Sequence, residues 1–278
     1  MLHARVLNPR ATLPRIGFYA LTLFTISCGS HRITLPSATG TPFPDAAPAY
    51  NDVIRDCRGA QTLSASLSLS GRAGSTKLAA RIDAGFAAPS KLRLEGYPRI
   101  AFGGKPFFIL VANGSDATLV LKRDNRVLRG APPSAIIEAL TGVALNPDEM
   151  RSLMAGCAFG TGEPTDGRSF GRDWASVQIG AVTVFLRRMN NQWRIAGARR
   201  GSLEIEYSDF AGTRPTSVRL HTAPSTGVVP ADLTIRMSQV EINTTLETNV
   251  FNVDVPKDAA PLTLEELRRA GPLGAETK

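Results

Sequence analysis

The sequence predicts a mainly β protein: one strongly curved antiparallel sheet with short helices covering one face. Three observations predict it. Segment after segment alternates apolar and polar residues with a period of two, as where Leu63, Ala65, Leu67 and Leu69 alternate with Ser64, Ser66, Ser68 and Ser70. Turn residues such as Asn113, Gly114, Asp124 and Asn125 separate neighbouring segments. Helical periodicity is confined to the start, middle and end of the chain, so the strand–helix alternation of a parallel sheet is missing.

Taken in order, Tyr50, Val53, Ile54 and Cys57 fall at helical spacing and predict a short amphipathic helix. A run of hairpins follows: Leu63–Ser70, Lys77–Ala84, Lys91–Glu95, Phe107–Ala112, Ala117–Arg123 and Arg126–Leu128. The residues Gly71 to Gly74 predict the first turn. Pro132–Leu140 predicts a helix with proline near its start and Gly142 after its end. Asn146–Gly156 predicts a second, with Asn146 as N-cap, Pro147 in the first helical position, and Asp148 and Glu149 at the positive end of the helix dipole. Strands resume at Asp173–Gly180, Ala181–Arg188, Gln192–Ala198, Leu203–Phe210, Thr216–Thr222 and Asp232–Ile242, and Thr263–Ala270 predicts a last helix. The total is about eleven or twelve strands.

With 278 residues, 43% hydrophobic and 20% charged, the chain has the composition of a globular protein able to bury a sizeable core. Its first 27 residues hold Arg5, Arg10 and Arg15 and no Asp or Glu, and an apolar run from Ile16 leads to Ser27 and Cys28. That is the pattern of a secretory signal peptide, with an apolar run too short to span a bilayer of roughly 30 Å. Removing those three arginines leaves 29 basic against 24 acidic residues, a net charge of +5. The basic residues are scattered singly, which describes a solvated surface and argues against nucleic acid as a partner. Residues 28–48, with Pro36, Pro42, Pro44 and Pro48 among small polar residues, predict a flexible tether, and 49–278 a single domain.

A cysteine directly after the cut site resembles the lipobox of bacterial lipoproteins; Ile26 and Ser27 fit it, whereas Thr25 stands where leucine is usual. The resemblance implies that Cys28 carries a lipid anchor; the alternative is an ordinary signal peptide cut nearby. With Cys28 lipidated, Cys57 and Cys157 remain, and export allows them to pair. Two buried free thiols are the alternative. No CxxC occurs and the histidines are only His3, His31 and His221, so no metal site or cofactor is expected.

The order helix, six strands, two helices and a longer run of strands resembles the LolA/LolB family of bacterial lipoprotein carriers over roughly residues 48–256. Leu140 to Val143 and the closing phrases Glu241 to Asn243 and Phe251 to Pro256 share its flavour. The resemblance implies a half-open antiparallel β-barrel of about 11 strands with short helices as a lid. It also implies a non-enzymatic carrier of lipoprotein acyl chains or a related membrane amphiphile. The anchored LolB type is the closer match because of Cys28. Gly29 after Cys28 is not Asp, which by the sorting rule of some Gram-negative bacteria implies the outer membrane, facing the periplasm.

Alternating Leu67, Leu69, Leu92, Leu94, Leu119 and Leu121 are moderate in size and would leave room for acyl chains, with Met150, Leu153 and Met154 helping to close the space. The same residues would equally serve a closed barrel or sandwich as ordinary core. Between Gly96 and Pro106, Ile100 and Phe102 match by position the membrane-touching loop of the anchored carrier, unless that loop folds back onto the core. A second reading of the fold is an envelope-assembly lipoprotein that binds a protein partner. Catalysis is not expected: there is no nucleophile elbow, His221 stands alone on a strand, and Asp166, Asp173 and Asp209 are unpaired. Trp174 and Trp193 read as core.

Overall fold

The computed structural model describes residues 33–98, 104–159, 162–223 and 229–270. After β1 (Thr41–Pro42), α1 (Ala46–Val53) and α2 (Arg55–Arg58), a first meander runs through β2 (Thr62–Ala73), β3 (Thr76–Ala87), β4 (Lys91–Tyr97), β5 (Phe108–Asn113), β6 (Asp116–Leu121) and β7 (Arg126–Ala131). Helices α3 (Pro133–Thr141) and α4 (Pro147–Ala155) follow. A second meander comprises β8 (Thr165–Phe170), β9 (Trp174–Ile179), β10 (Val182–Met189), β11 (Gln192–Arg200), β12 (Leu203–Ala211), β13 (Arg214–Thr222) and β14 (Ala231–Ile242). A 3₁₀ turn (Thr248–Phe251), β15 (Ala260–Pro261) and α5 (Leu264–Ala270) end the described chain.

All the strands form one open, curled sheet in the order β1-β8-β9-β10-β11-β12-β13-β14-β2-β3-β4-β5-β6-β7-β15. Every pairing is antiparallel except that of β15 with β7. The two meanders meet where β14 pairs with β2, from Ala231 opposite Ala73 to Ile242 opposite Leu63. Strand β2 runs through Gly71, where the sequence places a turn; the reversal comes at Gly74 and Ser75. Gly71 lies at φ +144°, and a Cβ there would stand 2.1 Å from the Asp232 carbonyl oxygen, so glycine permits the close approach of β14.

The concave face carries one continuous apolar core. It takes alternate residues from β2 to β7 and from β9 to β14, and α1, α3 and α4 pack their apolar residues into it. This is the mainly β, half-open architecture the sequence predicts, with fifteen strands among the described residues instead of about eleven. The additional ones carry little apolar alternation. Strand β8 is exposed or half-buried throughout and contains Asp166 at positive φ, while β1 and β15 are two-residue edge pairings. Both edge pieces contain proline, which cannot donate to a further strand and so blunts the sheet edges.

Two segments depart from their sequence reading. Residues 33–48, placed in a tether, are packed: Leu35 is 3% exposed, and the Phe43 amide donates to the Gly167 carbonyl at 2.8 Å. Their proline-rich composition conceals a strap that leads into α1 and is anchored by the buried Leu35 and Ala46 and the half-buried Phe43. The segment from Phe251 to Pro256 adds no strand to the sheet. Phe251 instead packs on Ile109 and Val111, residues of β5 outside the main core, and Arg93 of β4 donates to the carbonyls of Val250 (2.9 Å) and Asn252 (2.7 Å). Phe251→Ala is expected to cost about 3 kcal/mol, measured as a lower urea midpoint with an unchanged slope; full stability would show that the strap does not hold this part of the fold.

Candidate functional site

Where α3 and α4 cross the mouth of the curved sheet, they enclose a cavity of about 50 Å³. Leu67 and Leu69 of β2, Ile82 of β3, Leu94 of β4 and Phe108 of β5 form one wall. Leu220 of β13 and Leu233 and Ile235 of β14 form the other. Ile137, Leu140 and Thr141 of α3, Leu145 of the following loop and Met150 of α4 form the roof. Thr141 is the single hydroxyl in this lining, and its Oγ1 donates to the Ile137 carbonyl at 2.7 Å. Gly96 shapes the wall by omission: a Cβ there would stand 2.0 Å from Cε1 of Phe108, so glycine lets that ring lie over β4.

Four of the leucine and methionine positions selected from the sequence, Leu67, Leu69, Leu94 and Met150, line the cavity. Leu92, Leu119, Leu121, Leu153 and Met154 are buried in the surrounding core and do not reach it. All the strand leucines face the concave side; Leu67, Leu69 and Leu94 line the cavity and the others pack in the core around it. Sequence reasoning missed Ile235 and Leu233, although their alternation on β14 was visible. The missing knowledge was the β14–β2 pairing, which sets Ile235 opposite Leu69 and Met237 opposite Leu67. Cys28, Ile100 and Phe102 lie outside the described residues.

No family model matches the chain, and no curated protein matches it. Among solved structures it is similar to a LolA superfamily protein from Nitrosomonas europaea, at 13% identity and a TM-score of 0.49, over 75% of this chain and 98% of that one. It is also similar to LprF from Mycobacterium bovis, at 10% identity and a TM-score of 0.33, over 80% of this chain and 100% of that one. A third is the lipoprotein LppX from Mycobacterium tuberculosis, at 10% identity and a TM-score of 0.30, over 72% and 99%.

The two roof helices are held very differently. Asn146 and Glu149 form a reciprocal capping box at the start of α4: the Asn146 side chain accepts from the Glu149 amide at 2.8 Å, and Glu149 accepts from the Asn146 amide at 3.0 Å. Glu149 also pairs with Arg200, and Arg151 donates to the Ala60 carbonyl. At the other end the buried Tyr207 hydroxyl donates to the Leu153 carbonyl (2.9 Å) and accepts from the Ala158 amide (3.0 Å). Burial pushes that phenol well above its ordinary pKa and pushes Tyr50 up to about 12, so neither ionises near neutral pH. Cys157, just beyond α4, is disulfide-bonded to Cys57 in α2, with the Cα atoms 5.5 Å apart.

Helix α3 lacks such ties. It ends at Gly142 in the left-handed conformation, and its outer side meets α5 through the buried Leu267 and the surface pair Arg268–Glu138 at 3.8 Å. Glu266 seats α5: it accepts from the Thr263 amide (2.8 Å) and from Arg126 of β7 (2.8 Å). Among the described residues, no three His, Cys, Asp or Glu side chains gather to hold a metal ion.

Replacing Cys57 and Cys157 together by serine is expected to lower unfolding free energy by about 4 kcal/mol, because the bridge closes a loop of roughly 100 residues; an unchanged urea midpoint would refute this. The Thr263 amide, helped by Arg126 and the Thr263 hydroxyl, lowers the Glu266 pKa from 4.5 to about 2. A depressed folded-state pKa stabilises above the unfolded value and ceases to do so as pH falls through the folded one. The seating of α5 is therefore expected to hold down to about pH 4.5 and to weaken toward pH 2. NMR titration checks this: Glu266 should titrate near 2 together with the α5 resonances.

Proposed function

We propose that this protein is a non-enzymatic carrier that takes acyl chains of a lipoprotein or a related membrane amphiphile between the curved sheet and α3. The observation that carries the reading is the cavity: a wall of aliphatic and aromatic side chains, one hydroxyl, and a roof of which one helix is pinned and the other is not. Such a lining offers no partner to a polar or charged ligand, whereas each methylene buried there contributes about 0.8 kcal/mol. A volume of about 50 Å³ is far below the few hundred Å³ of sites for larger ligands, so the described state is the closed one. Loading requires the roof to rise, and α3 with the loop to Leu145 supplies four of the five roof residues.

In this proposal Cys28 carries the lipid that holds the protein at the outer membrane, facing the periplasm, as in the anchored LolB type. Leu67, Leu69, Leu94 and Met150 contact the cargo, and Leu153 and Met154 hold the fixed half of the roof to the core.

The test is acyl-chain binding. Protein purified gently from membranes is expected to release fatty acyl species detectable by mass spectrometry, beyond those attached to the N-terminus. Leu69→Trp, which fills the cavity, is expected to weaken binding of a fluorescent fatty-acyl probe at least 10-fold while circular dichroism stays unchanged, overpacking costing about 1–3 kcal/mol of stability. Leu233→Phe gives the same test at the opposite wall. Equal affinity in both folded variants, or no acyl species at all, would favour a packed scaffold that binds a protein partner.

A further inference from the structure

Four of the ten arginines of the second meander are paired with carboxylates: Arg168 with Asp166, Arg199 with Glu204, Arg200 with Glu149, and Arg219 with Glu206 and Asp232. Five others on the same strands and turns, Arg172, Arg187, Arg188, Arg194 and Arg214, make no salt bridge among the described residues. They converge on one end of the sheet. The β8–β9, β10–β11 and β12–β13 turns all lie at that end, because antiparallel strands reverse there at every second connection. The exposed carboxylates on these three hairpin ends are Asp173 and Asp209, so the positive charge is in excess.

The cations are arranged, not scattered. Phe170 pairs with Trp174, Trp174 with Arg187, and Arg187 with Arg194, which makes one row across β8 to β11. Ala175, Leu186 and Ile195 belong to the concave core, so Trp174, Arg187 and Arg194 point to the convex side. Two arginines directly opposite each other across a strand pair repel, and no carboxylate relieves them. Each is instead stacked on a ring: Arg187 lies 5.4 Å from the centre of Trp174 and Arg194 5.4 Å from that of Phe210. Arg188 lies 5.2 Å from the centre of Trp193. Stacking covers the flat face of a guanidinium and leaves its N–H groups to grip phosphate oxygens; in Arg194 Nη1 donates to the Gly212 carbonyl at 2.6 Å and Nε is buried, so Nη2 is the group left for a phosphate. A half-buried tryptophan beside such groups, here Trp174, is the kind of side chain that settles at a membrane–water boundary.

We propose that this end of the sheet is a docking surface for an anionic phospholipid membrane, with the phosphate groups serving as the counter-ions that Arg187 and Arg194 lack among the described residues. The surface is separate from the roofed cavity, and the proposal stands whether or not the cavity carries lipid.

The chain contains two tryptophans; Trp174 lies in the row on the convex side, whereas Trp193 packs against the concave core, so Trp193→Phe leaves Trp174 as the fluorescent reporter of this surface. The full-length chain with Cys28→Ser and Trp193→Phe, free of any attached lipid, is mixed with vesicles of brominated phosphatidylglycerol and phosphatidylcholine, or of brominated phosphatidylcholine alone. Quenching is expected with the anionic vesicles only and is expected to disappear at high salt. Arg187→Gln with Arg194→Gln should weaken the interaction roughly 25-fold, from about a fivefold contribution per arginine near an anionic surface. Arg172→Gln with Arg188→Gln, both exposed, provides the same test without disturbing the stacked row. Arg72→Gln, exposed on β2 at the opposite end of the sheet, should change nothing. No quenching, equal quenching by neutral vesicles, or indifference to both arginine pairs would overturn the proposal. Binding to a soluble polyanion without binding to vesicles would overturn it as well.

Discussion

The pairing of β14 with β2 is the constraint on which the molecule depends. Each meander alone is a run of local hairpins whose alternation leaves one apolar face uncovered. Only their junction curls that face into a trough deep enough for helices to roof. The register of the seam places Leu69 opposite Ile235 and Leu67 opposite Met237, all toward the concave side. A slip by one residue would turn those side chains to the outside and present the Ser66 and Ser68 row to the core. The irregularity between Ser238 and Glu241, with Gln239 at positive φ, lets the last part of β14 bend while Ile242 still pairs with Leu63. Gly71 serves the same junction from the β2 side.

From this seam follows how much of the molecule could be read in the sequence. Strands such as Leu63–Ser70 and Asp232–Ile242 are legible because period-two alternation is a local property. The α4 cap is equally legible, since Asn146, Pro147 and Glu149 act within one helical turn. What could not be read is long-range. Nothing local says that β14 lies beside β2, so Leu233 and Ile235 could not be assigned to the wall they share with Leu69. Strand β8 escaped notice because edge pairing satisfies backbone hydrogen bonds without requiring apolar side chains. Trp193, expected in the core, packs against it, whereas Trp174 lies outside it with Arg187 against its ring, and cross-strand stacking leaves no signature in spacing. The strap at 33–48 shows the converse error: a proline-rich composition does not exclude packing.

The Cys57–Cys157 bridge spans the same gap by a covalent route. Cys57 precedes the first meander and Cys157 precedes the second, so the bond ties the entrance of one to the entrance of the other. Together with Tyr207 it fixes the far end of α4 and makes that helix part of the frame. Among the described residues, helix α3 has no covalent or buried polar tie of this kind. It rests on its apolar face, with α5 behind it. The difference comes from side-chain chemistry, since both helices are nine residues long and both begin with proline.

That asymmetry gives a carrier its energetics. Lifting α3 exposes Ile136, Ile137 and Leu140, which at about 1.5–3 kcal/mol each costs roughly 5–9 kcal/mol. An acyl chain burying about a dozen methylenes in their place returns roughly 10 kcal/mol. The two terms nearly cancel, a balance that the proposed carrier would need in order both to accept a chain and to give it up. Had α3 been bolted down like α4, opening would also have broken a buried hydrogen-bond pair and strained a disulfide, and no acyl chain of ordinary length would offset the sum. Had neither helix been fixed, the roof would have no hinge and the trough no reproducible closed state. One pinned helix beside one that rests on apolar contact alone is therefore the arrangement that reversible burial requires.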